Sequence, residues 1–475
     1  MIDGSVVNVA LAHIGHDFDA GFVALQWTVI GYTLTLASLI LLGGSLGDHF
    51  GRRRVFVIGV VWFAVASLLS GLAPNIETLI VARSLQGVGG ALLTPGSLAL
   101  ISASFRGRDR AAAVGAWSGL AGIAGAVGPF LGGWLVEWTW RAVFLINLPL
   151  AAVIVLVALR HVPESRDTES APGLDVAGTA LAVLGLGGLT YSLTGLSERG
   201  ADPDLVIGLL VGLAALAAFV VVERRSKHPL VPPALFANAT FSAANSVTFL
   251  IFGAQGTVFL LLVLQLQTVS GFSPLTAGTS LLPITLIMLA FSARVGALAG
   301  RIGPRLPLTV GPLIGAVGTL LMLRIGAGST WVLDVLPAVV LYGAGLALTV
   351  APLSATVLDS AADRYAGSAS GVDYAVARAA GLLAVAVIPG VAGIAGDDYT
   401  DPVAFDSGFR TAMMISAGLL VAASLLAFAL VRRPLRAAEP EQPGAGRHRV
   451  RVAEVPHCGV VAPQMSPRTG SAQEA

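Results

Sequence analysis

The sequence predicts an all-α integral membrane protein made of two related halves. Its 475 residues are 55% hydrophobic and only 12% charged, with a mean hydropathy of +0.82, whereas soluble domains carry about 25% charged residues. Apolar stretches follow one another along most of the chain, and one charged loop between two of them recurs in the second half. We therefore expect this chain to fold in a bilayer.

The apolar stretches have the length of membrane-spanning helices. A span takes roughly 20 apolar residues to cross about 30 Å of hydrocarbon, and about fourteen stretches meet or approach that length. They are 1–14, 25–46, 55–72, 79–101, 111–135, 143–159, 176–196, 205–222, 242–264, 275–291, 306–323, 332–358, 367–395 and 411–431. The first covers only about 21 Å at about 1.5 Å per residue. We therefore expect either a natural start upstream of Met1 or a truncated first helix.

The spans and the polar segments between them predict the domain organisation. The expected parts are an N-terminal six-helix bundle at 1–160, a cytoplasmic linker at 161–175, two extra helices at 176–222, a second cytoplasmic linker at 223–241 and a C-terminal six-helix bundle at 242–431. Residues 432–475 lack apolar periodicity and are rich in Arg, Pro, Gly and Gln, which predicts a disordered cytoplasmic tail.

The distribution of basic residues predicts the orientation. The loops that follow the even-numbered spans hold fifteen arginine and lysine residues, and the loops on the other side hold four, Arg141, Arg199, Arg324 and Arg410. Cytoplasmic loops carry the excess of Lys and Arg, so both termini are expected inside the cell. Of the 28 basic residues only Lys227 is lysine. With abundant Ala and Gly, this bias indicates a GC-rich bacterium, and hence the bacterial cytoplasmic membrane.

Composition and missing motifs argue against several other classes. The net charge is +1 and the basic residues are dispersed among short loops, so no nucleic-acid partner is expected. The single cysteine, Cys458, can form neither a disulfide within the chain nor a thiolate cluster. The sequence contains no G-x-x-x-x-G-K-[ST] phosphate loop and no H-E-x-x-H motif. We therefore expect no enzyme activity and no cofactor.

The repeated loop is the strongest local signal. GGSLGDHFGRRR, at 43–54, has a partial copy in GALAGRIGPR, at 296–305, with a constant offset of 252 residues. Asp48 lies at the C-terminal end of a helix, where the macrodipole already places partial negative charge. Its carboxylate therefore needs compensation from the adjacent arginines or from the N-terminus of another helix. Gly300 replaces this aspartate in the second copy, so the two loops are not equivalent.

Two pairs of charged residues fall within predicted spans. An arginine in hydrocarbon costs about 2.5–3.5 kcal/mol, so Arg83 should face a partner or water. Counted at about 1.5 Å per residue, Asp3 lies about 16 Å from the outer end of its span and Arg83 about 10 Å from the end of its own. An arginine side chain covers that difference, which makes Asp3 the expected partner. Asp373 and Arg378 are separated by about 140° around one helix and should not pair.

Several motifs resemble one family. The first loop fits G-x-L-x-D-x-x-G-R-R, and RSLQG at Arg83 looks like R-x-x-Q-G, both motifs of the major facilitator superfamily. GPFLGG matches the G-P-x-x-G-G motif of its antiporters. IDGSVVNVAL resembles the first-helix motif of drug/proton antiporters, and WTWRAVFLINLP is typical of their fourteen-span branch. The loop residues are Gly44, Asp48, Gly51, Arg52 and Arg53, and the antiporter residues are Gly128, Pro129, Gly132 and Gly133.

The resemblance implies a fold and an activity. The fold would be the major facilitator fold, with two six-helix bundles plus two additional central helices. The activity would be proton-coupled antiport that exports a lipophilic drug or antibiotic, with protons as the coupling ion and a monomer as the working unit. Asp3 would bind protons and substrate in alternation beside Arg83. Asp373, near Arg378, would be either a second proton or cation site or a residue of helix packing. Asp48 would latch the outward-facing state against a helix that begins near Gly367.

Three alternatives remain open from the sequence. The chain could be a proton-coupled importer of a small nutrient, against which the antiporter motif argues. It could be a membrane-embedded enzyme or receptor scaffold, against which the repeated loop and the missing catalytic motifs argue. The short first span leaves open an inactive, N-terminally truncated transporter.

Overall fold

The computed structural model describes residues 2–105, 107–166, 175–226, 229–362 and 365–431. All regular secondary structure in these ranges is helical. The helices are α1 Ile2–Phe18, α2 Phe22–Phe50, α3 Arg52–Gly71, α4 Ile76–Ser104, α5 Gly107–Val136, α6 Ala142–Leu145, α7 Asn147–His161, α8 Val176–Arg199, α9 Pro203–Arg225, α10 Pro233–Phe236, α11 Ala239–Leu264, α12 Pro274–Thr279, α13 Leu282–Ile302, α14 Arg305–Leu321, α15 Leu336–Asp359, α16 Ala366–Val391 and α17 Pro402–Leu430. The tail predicted at 432–475 and most of the linker predicted at 161–175 lie outside the described residues.

The helices confirm the all-α membrane class. Within the described ranges, twelve helices are long and apolar enough to cross a membrane. Two of the predicted spans are not among them. These two spans correspond to α1 and α5. Helix α1 has 17 residues, and within α5 the segment Val127–Val136 is a shorter apolar helix. The structure therefore gives twelve candidate spans where the sequence predicts about fourteen.

The first helix is longer than the sequence predicts. The predicted span stops at Ile14 because polar residues follow it, but α1 continues to Phe18. At about 1.5 Å per residue it is about 26 Å long rather than about 21 Å. His16 and Asp17 are exposed, so the last turn of α1 carries polar side chains outside the core without ending the helix.

The helices form two halves joined by a helical hairpin. In the first half α4 packs against α2 and α3, and in the second α14 packs against α15 and α11 against α16 and α17. Helices α8 and α9 pack against each other, and α8 also contacts α2 and α16, one helix from each half. The linker predicted at 223–241 is partly helical, because α9 continues to Arg225 and α10 lies within it.

The loops gather at two ends of the bundle because successive helices alternate in direction. We call the end with the two repeated loops the basic end and the other the opposite end. Gly51 and Gly303, which are equivalent in the two loops, have φ values of +107° and +89°. Glycine adopts such positive φ values far more readily than other residues. The two copies therefore share a turn as well as a sequence pattern.

The two halves meet along a seam that is fastened toward the opposite end. The Phe22 N–H donates to the Gly396 carbonyl at 2.8 Å, and the Tyr399 hydroxyl donates to the Ala20 carbonyl at 2.8 Å. Further hydrogen bonds across the seam join Gln26 Nε2 to the Val385 carbonyl at 2.8 Å and Gln267 Nε2 to the Val9 carbonyl at 3.0 Å. The bundle is therefore closed at its opposite end.

Close approach of α5 and α12 contributes to this closure. Gly278 in α12 faces the Pro129 carbonyl of α5 so closely that a Cβ at position 278 would overlap the oxygen. Gly133 faces the Leu275 backbone, and a Cβ there would lie 2.6 Å from the Leu275 Cα. Small residues allow membrane helices to approach this closely. The closed end therefore depends on glycine at this crossing.

The substitution Gly278→Ala is expected to loosen the closed end. The added methyl group overlaps backbone atoms, which cannot rotate away as a side chain can. Hydrogen exchange of residues 274–279 should become faster in this variant than in the native protein. Gly300→Ala is the matched control, because nothing lies within 4 Å of a Cβ at that position. Equal exchange in both variants would contradict the packing described here.

Candidate coupling site

Five polar side chains from four helices meet inside the first half. Asp3 in α1 and Arg83 in α4 form an ion pair, with 2.7 Å between Oδ2 and Nη1. Gln86 Nε2 and Asn147 Nδ2 donate to Asp3 Oδ1 at 2.8 and 3.1 Å. The same two amides donate to Ser67 Oγ at 2.8 and 3.3 Å. We call these five residues the Asp3 cluster.

The Asp3 cluster is shielded from water, and its charges are compensated. The side chains of Asp3 and Arg83 are 4% and 1% exposed. Arg83 also donates to Gln86 Oε1 at 2.5 Å and, through Nε, to the Thr28 carbonyl at 3.2 Å. Desolvating a charge costs several kcal/mol, which is offset only while its partners stay in place. A change in the charge of Asp3 therefore affects every member of the cluster.

Arg83 also stacks on aromatic rings. Its guanidinium carbon lies 4.4 Å from the ring centre of Tyr32 and 5.7 Å from that of Phe144. A planar guanidinium favours such contacts because they combine stacking with cation–π attraction. Tyr32 packs against a small core in α2 and α4 to which Tyr374 of the second half also contributes. Tyr32 therefore lies between Arg83 and the other half of the protein.

The structure brings Asp3 and Arg83 together, as counting helical depth from the sequence predicts. Sequence reasoning misses Ser67, Asn147 and Tyr32. Asn147 could have been noticed as an amide within an apolar run, because a buried amide needs partners. Ser67 and Tyr32 carry no such signal, since both residue types are common in membrane helices.

Asp373 and Arg378 lie in α16 and bind different partners. Thr248 donates from Oγ1 to Asp373 Oδ1 at 2.8 Å. Arg378 donates to the Tyr374 hydroxyl at 2.7 Å, and its guanidinium carbon lies 4.8 Å from the Tyr374 ring centre. Asp373 and Arg378 thus point to separate neighbours, as their spacing along the helix predicts. They place polar groups in the second half, on the helix that lies against α2.

The antiporter motif lies where α5 meets two other helices. Gly128 and Pro129 are buried, and the Pro129 carbonyl faces α12. A Cβ at Gly132 would lie 2.9 Å from Val6 Cγ1 of α1, and Gly133 faces Leu275 of α12. The motif therefore positions α1, which carries Asp3, and also forms part of the seam.

The first repeated loop is held together internally. Asp48 Oδ1 lies 2.8 Å from both Nε and Nη2 of Arg52, four residues later. Its ion pair is therefore with α3 and not with the start of α16 near Gly367. Arg53 Nη1 donates to the Val162 carbonyl at 3.0 Å. Gly44 lies beside α4, where its Cβ would be 3.7 Å from Pro95 Cβ.

Glu164, which the sequence does not single out, caps α3. Its Oε1 and Oε2 accept from the backbone N–H groups of Arg53 and Arg54 at 3.0 and 3.2 Å. The Arg52 N–H donates to the Ser165 carbonyl at 2.9 Å. A carboxylate at a helix N-terminus satisfies free donors and complements the macrodipole. The start of the 161–175 linker is thereby bound to the repeated loop.

We expect Glu164→Ala to destabilise the protein by about 1 kcal/mol, the usual cost of losing a side-chain cap. The effect should be a lower Tm of the purified protein in detergent. Glu198→Ala serves as the control, because Glu198 is exposed near the far end of α8. If the two variants unfold at the same temperature, the cap contributes nothing.

These features define a class of protein. A helical bundle of two related halves, with twelve candidate membrane spans and an ion pair buried within one half, is a multi-span membrane transporter. The chain belongs to the Major Facilitator Superfamily, whose family model matches residues 1–385. The match includes the first half, the α8–α9 hairpin and most of the second half.

Relatives of known activity are drug-resistance proteins. The chain is 35% identical over 393 residues to the multidrug resistance protein Stp of Mycobacterium tuberculosis, covering 82% of this chain and 73% of that protein. It is 34% identical over 457 residues to the puromycin resistance protein pur8 of Streptomyces alboniger, covering 92% and 90%. A small-molecule substrate and a membrane location follow from this kinship.

Solved structures support the fold. A bacterial homologue of the human lysosomal transporter Spinster, crystallised in an inward-facing and unoccupied conformation, aligns with a TM-score of 0.63 at 18% identity. The alignment covers 90% of this chain and 93% of that one. The predicted major facilitator fold is therefore confirmed.

Proposed function

We propose that this protein is a proton-coupled antiporter that exports drugs, antibiotics or other lipophilic small molecules from the cytoplasm. The observation that carries the proposal is the Asp3 cluster, a buried carboxylate held by one guanidinium and two amides. A carboxylate in such a place can exchange a proton for a charged partner. The names of the relatives, multidrug and puromycin resistance, support a drug as the substrate.

In this proposal Asp3 binds protons and substrate in alternation. Charged Asp3 holds Arg83 at 2.7 Å. Protonation cancels that attraction, and Arg83 keeps its contacts to the Thr28 carbonyl and the Tyr32 ring. The ion pair between α1 and α4 is then lost, while the charge of Arg83 remains compensated by the Thr28 carbonyl and the Tyr32 ring. A cationic substrate binds only to charged Asp3, so it competes with the proton for the carboxylate.

The remaining predicted residues take supporting roles in the proposal. Asp373 is the second proton or cation site, held by Thr248, and Arg378 with Tyr374 faces the first half beside Tyr32. A shift of Arg83 against Tyr32 would therefore change the contacts of Tyr32 with α16. Asp48 is held by Arg52 in the arrangement closed at the opposite end. We propose that it turns to the start of α16 when that end opens.

We further propose that α1 and α5 also cross the membrane, which brings the spans to the fourteen of the drug/proton antiporter branch. Helices α8 and α9 are then the two additional ones. The excess of arginine at the basic end places that end and both termini in the cytoplasm of a bacterial cell. The closed end then faces outward, and a monomer in the cytoplasmic membrane is the working unit.

The proton gradient supplies enough energy for this task. One proton that moves through 100 mV releases about 2.3 kcal/mol, which corresponds to a concentration ratio of roughly fiftyfold at about 1.4 kcal/mol per tenfold. This ratio applies to a neutral substrate; a monovalent cation exchanged one for one with a proton moves no net charge, so only the pH difference drives its export, at about 1.36 kcal/mol per pH unit. The buried Asp3 provides one site for that proton.

The test is efflux of a fluorescent cationic dye from an efflux-deficient bacterial host. Cells with the protein should lose dye faster than cells without it, and a protonophore should abolish the difference. Efflux that persists with the protonophore would overturn proton coupling.

Inside-out vesicles separate export from import: an exporter accumulates dye in their lumen when the lumen is acidic, whereas an importer does not.

A further inference from the structure

Asp175 and Glu223 form a second buried carboxyl pair, remote from the Asp3 cluster. Asp175 immediately precedes α8, and Glu223 lies in the last turn of α9. Glu223 is 4% exposed. Asp175 Oδ2 and Glu223 Oε1 are both buried, and neither accepts a hydrogen bond from any donor in the described part of the chain. A buried oxygen without a donor costs free energy and calls for an explanation.

The two oxygens lie over the same glycine. A Cβ at Gly178 would be 2.7 Å from Asp175 Oδ2 and 2.9 Å from Glu223 Oε1, and the two carboxyl groups are within hydrogen-bonding reach. Their other oxygens have donors. Asp175 Oδ1 accepts from the Gly178 N–H at 2.7 Å, and Glu223 Oε2 accepts from the Val231 N–H at 3.1 Å. Each carboxyl therefore directs its one free oxygen toward the other carboxyl.

Among the described residues, no ion pair involves either carboxyl. Arg224 and Arg225 follow Glu223 but are exposed, and Lys227 and His228 lie outside the described ranges. The titratable groups of α2 and α16, which pack against α8, have other partners: Asp48 with Arg52, His49 beside Phe50, Tyr32 with Arg83, Asp373 with Thr248, and Arg378 with Tyr374.

We propose that Asp175 and Glu223 form a proton-binding site outside the transport pathway, in which one proton is shared between Asp175 Oδ2 and Glu223 Oε1. Two carboxylates in contact repel each other, so such a pair retains a proton under conditions in which an isolated carboxyl has lost it. The shared proton gives both free oxygens a hydrogen bond. It thereby joins the start of α8 to the end of α9.

The pair affects the seam through α8. This helix contacts α2 of the first half and α16 of the second. When the pair loses its proton, two negative charges remain in contact, and the start of α8 separates from α9 and from the segment at Val231. Helix α8 is then less firmly seated on α2 and α16. The proton occupancy of the pair thus regulates how tightly the hairpin covers the seam, whether or not transport itself uses protons.

Infrared spectroscopy of the full-length protein in nanodiscs tests the shared proton. Difference spectra between neutral and alkaline pH should show the loss of a carboxylic-acid C=O band and the gain of a carboxylate band. Glu223→Gln and Asp175→Asn should each remove this pair of bands. Glu198→Gln, at an exposed glutamate of the same hairpin, should leave it. A band that persists in both pair variants, or no band in the native protein, would overturn the site.

Hydrogen exchange tests the consequence for α8. After correction for the intrinsic pH dependence, protection of residues 176–182 should fall with rising pH in the native protein. It should not change in Glu223→Gln, whose amide is uncharged at every pH. Protection that is independent of pH in the native protein would overturn the regulation. If added sodium, potassium or calcium restores protection at alkaline pH, the pair holds a metal cation and the proton assignment is wrong.

Discussion

Asp3→Asn is expected to abolish proton-driven efflux of a cationic substrate. Asparagine has nearly the same size and can keep a hydrogen-bonded place beside Gln86 and Asn147, but it binds no proton. In proteoliposomes, dye accumulation driven by an imposed pH gradient should fall to that of protein-free vesicles. Counterflow of the cationic dye against unlabelled dye needs no gradient but should also be lost, because in this proposal the dye binds to charged Asp3.

The matched control for this experiment is Asp17→Asn. Asp17 lies on the same helix, but it is 46% exposed at the opposite end and pairs with Arg141 at 2.9 Å. It receives the same chemical change without a role in coupling, so gradient-driven accumulation should stay at the native rate. An Asp3→Asn protein that still accumulates dye, or an Asp17→Asn protein that fails equally, would contradict the assignment of Asp3.

Arg83→Gln is expected to have the largest effect on stability. It removes the only charged partner that Asp3 has among the described residues and leaves a carboxylate that is 4% exposed. Breaking a buried ion pair by removing one partner costs about 3–5 kcal/mol. The variant should unfold at a clearly lower Tm.

The double variant Asp3→Asn/Arg83→Gln separates stability from transport. Removing both charges leaves no unpaired ion, and replacing a buried pair by neutral groups is often close to neutral in free energy. The Tm should therefore recover most of the loss of the single Arg83→Gln variant, while gradient-driven transport stays absent. A double variant as unstable as Arg83→Gln would show that Arg83 acts mainly through its contacts to Thr28 and Tyr32.

The parts of the site that could be predicted from sequence are those with a strong local signal. A charged residue in an apolar run is conspicuous, helical depth limits its possible partners, and the family resemblance supports the pairing, so the sequence predicts that Asp3 and Arg83 form a pair. The repeated loop is likewise visible as a pattern, and its equivalent glycines share the same turn at Gly51 and Gly303.

The parts that could not be predicted depend on contacts between distant segments. Ser67 joins the Asp3 cluster because α3 packs against α4 and α7, which carry Gln86 and Asn147. Glu164 accepts a hydrogen bond from the backbone N–H of Arg54, which lies 110 residues earlier in the chain. No pattern around either residue predicts that contact. The sequence predicts an end at Ile14, four residues before α1 ends at Phe18, because polar residues at a membrane surface end an apolar run without ending the helix.

The most direct test of the account is proton movement caused by substrate. Proteoliposomes that contain a pH-sensitive dye are loaded with a quaternary ammonium substrate and diluted into substrate-free buffer. Antiport predicts that protons enter as the substrate leaves, so the lumen acidifies with the native protein and not with Asp3→Asn. A lumen that becomes alkaline, or whose pH stays constant while the native protein releases substrate, would contradict proton-coupled export.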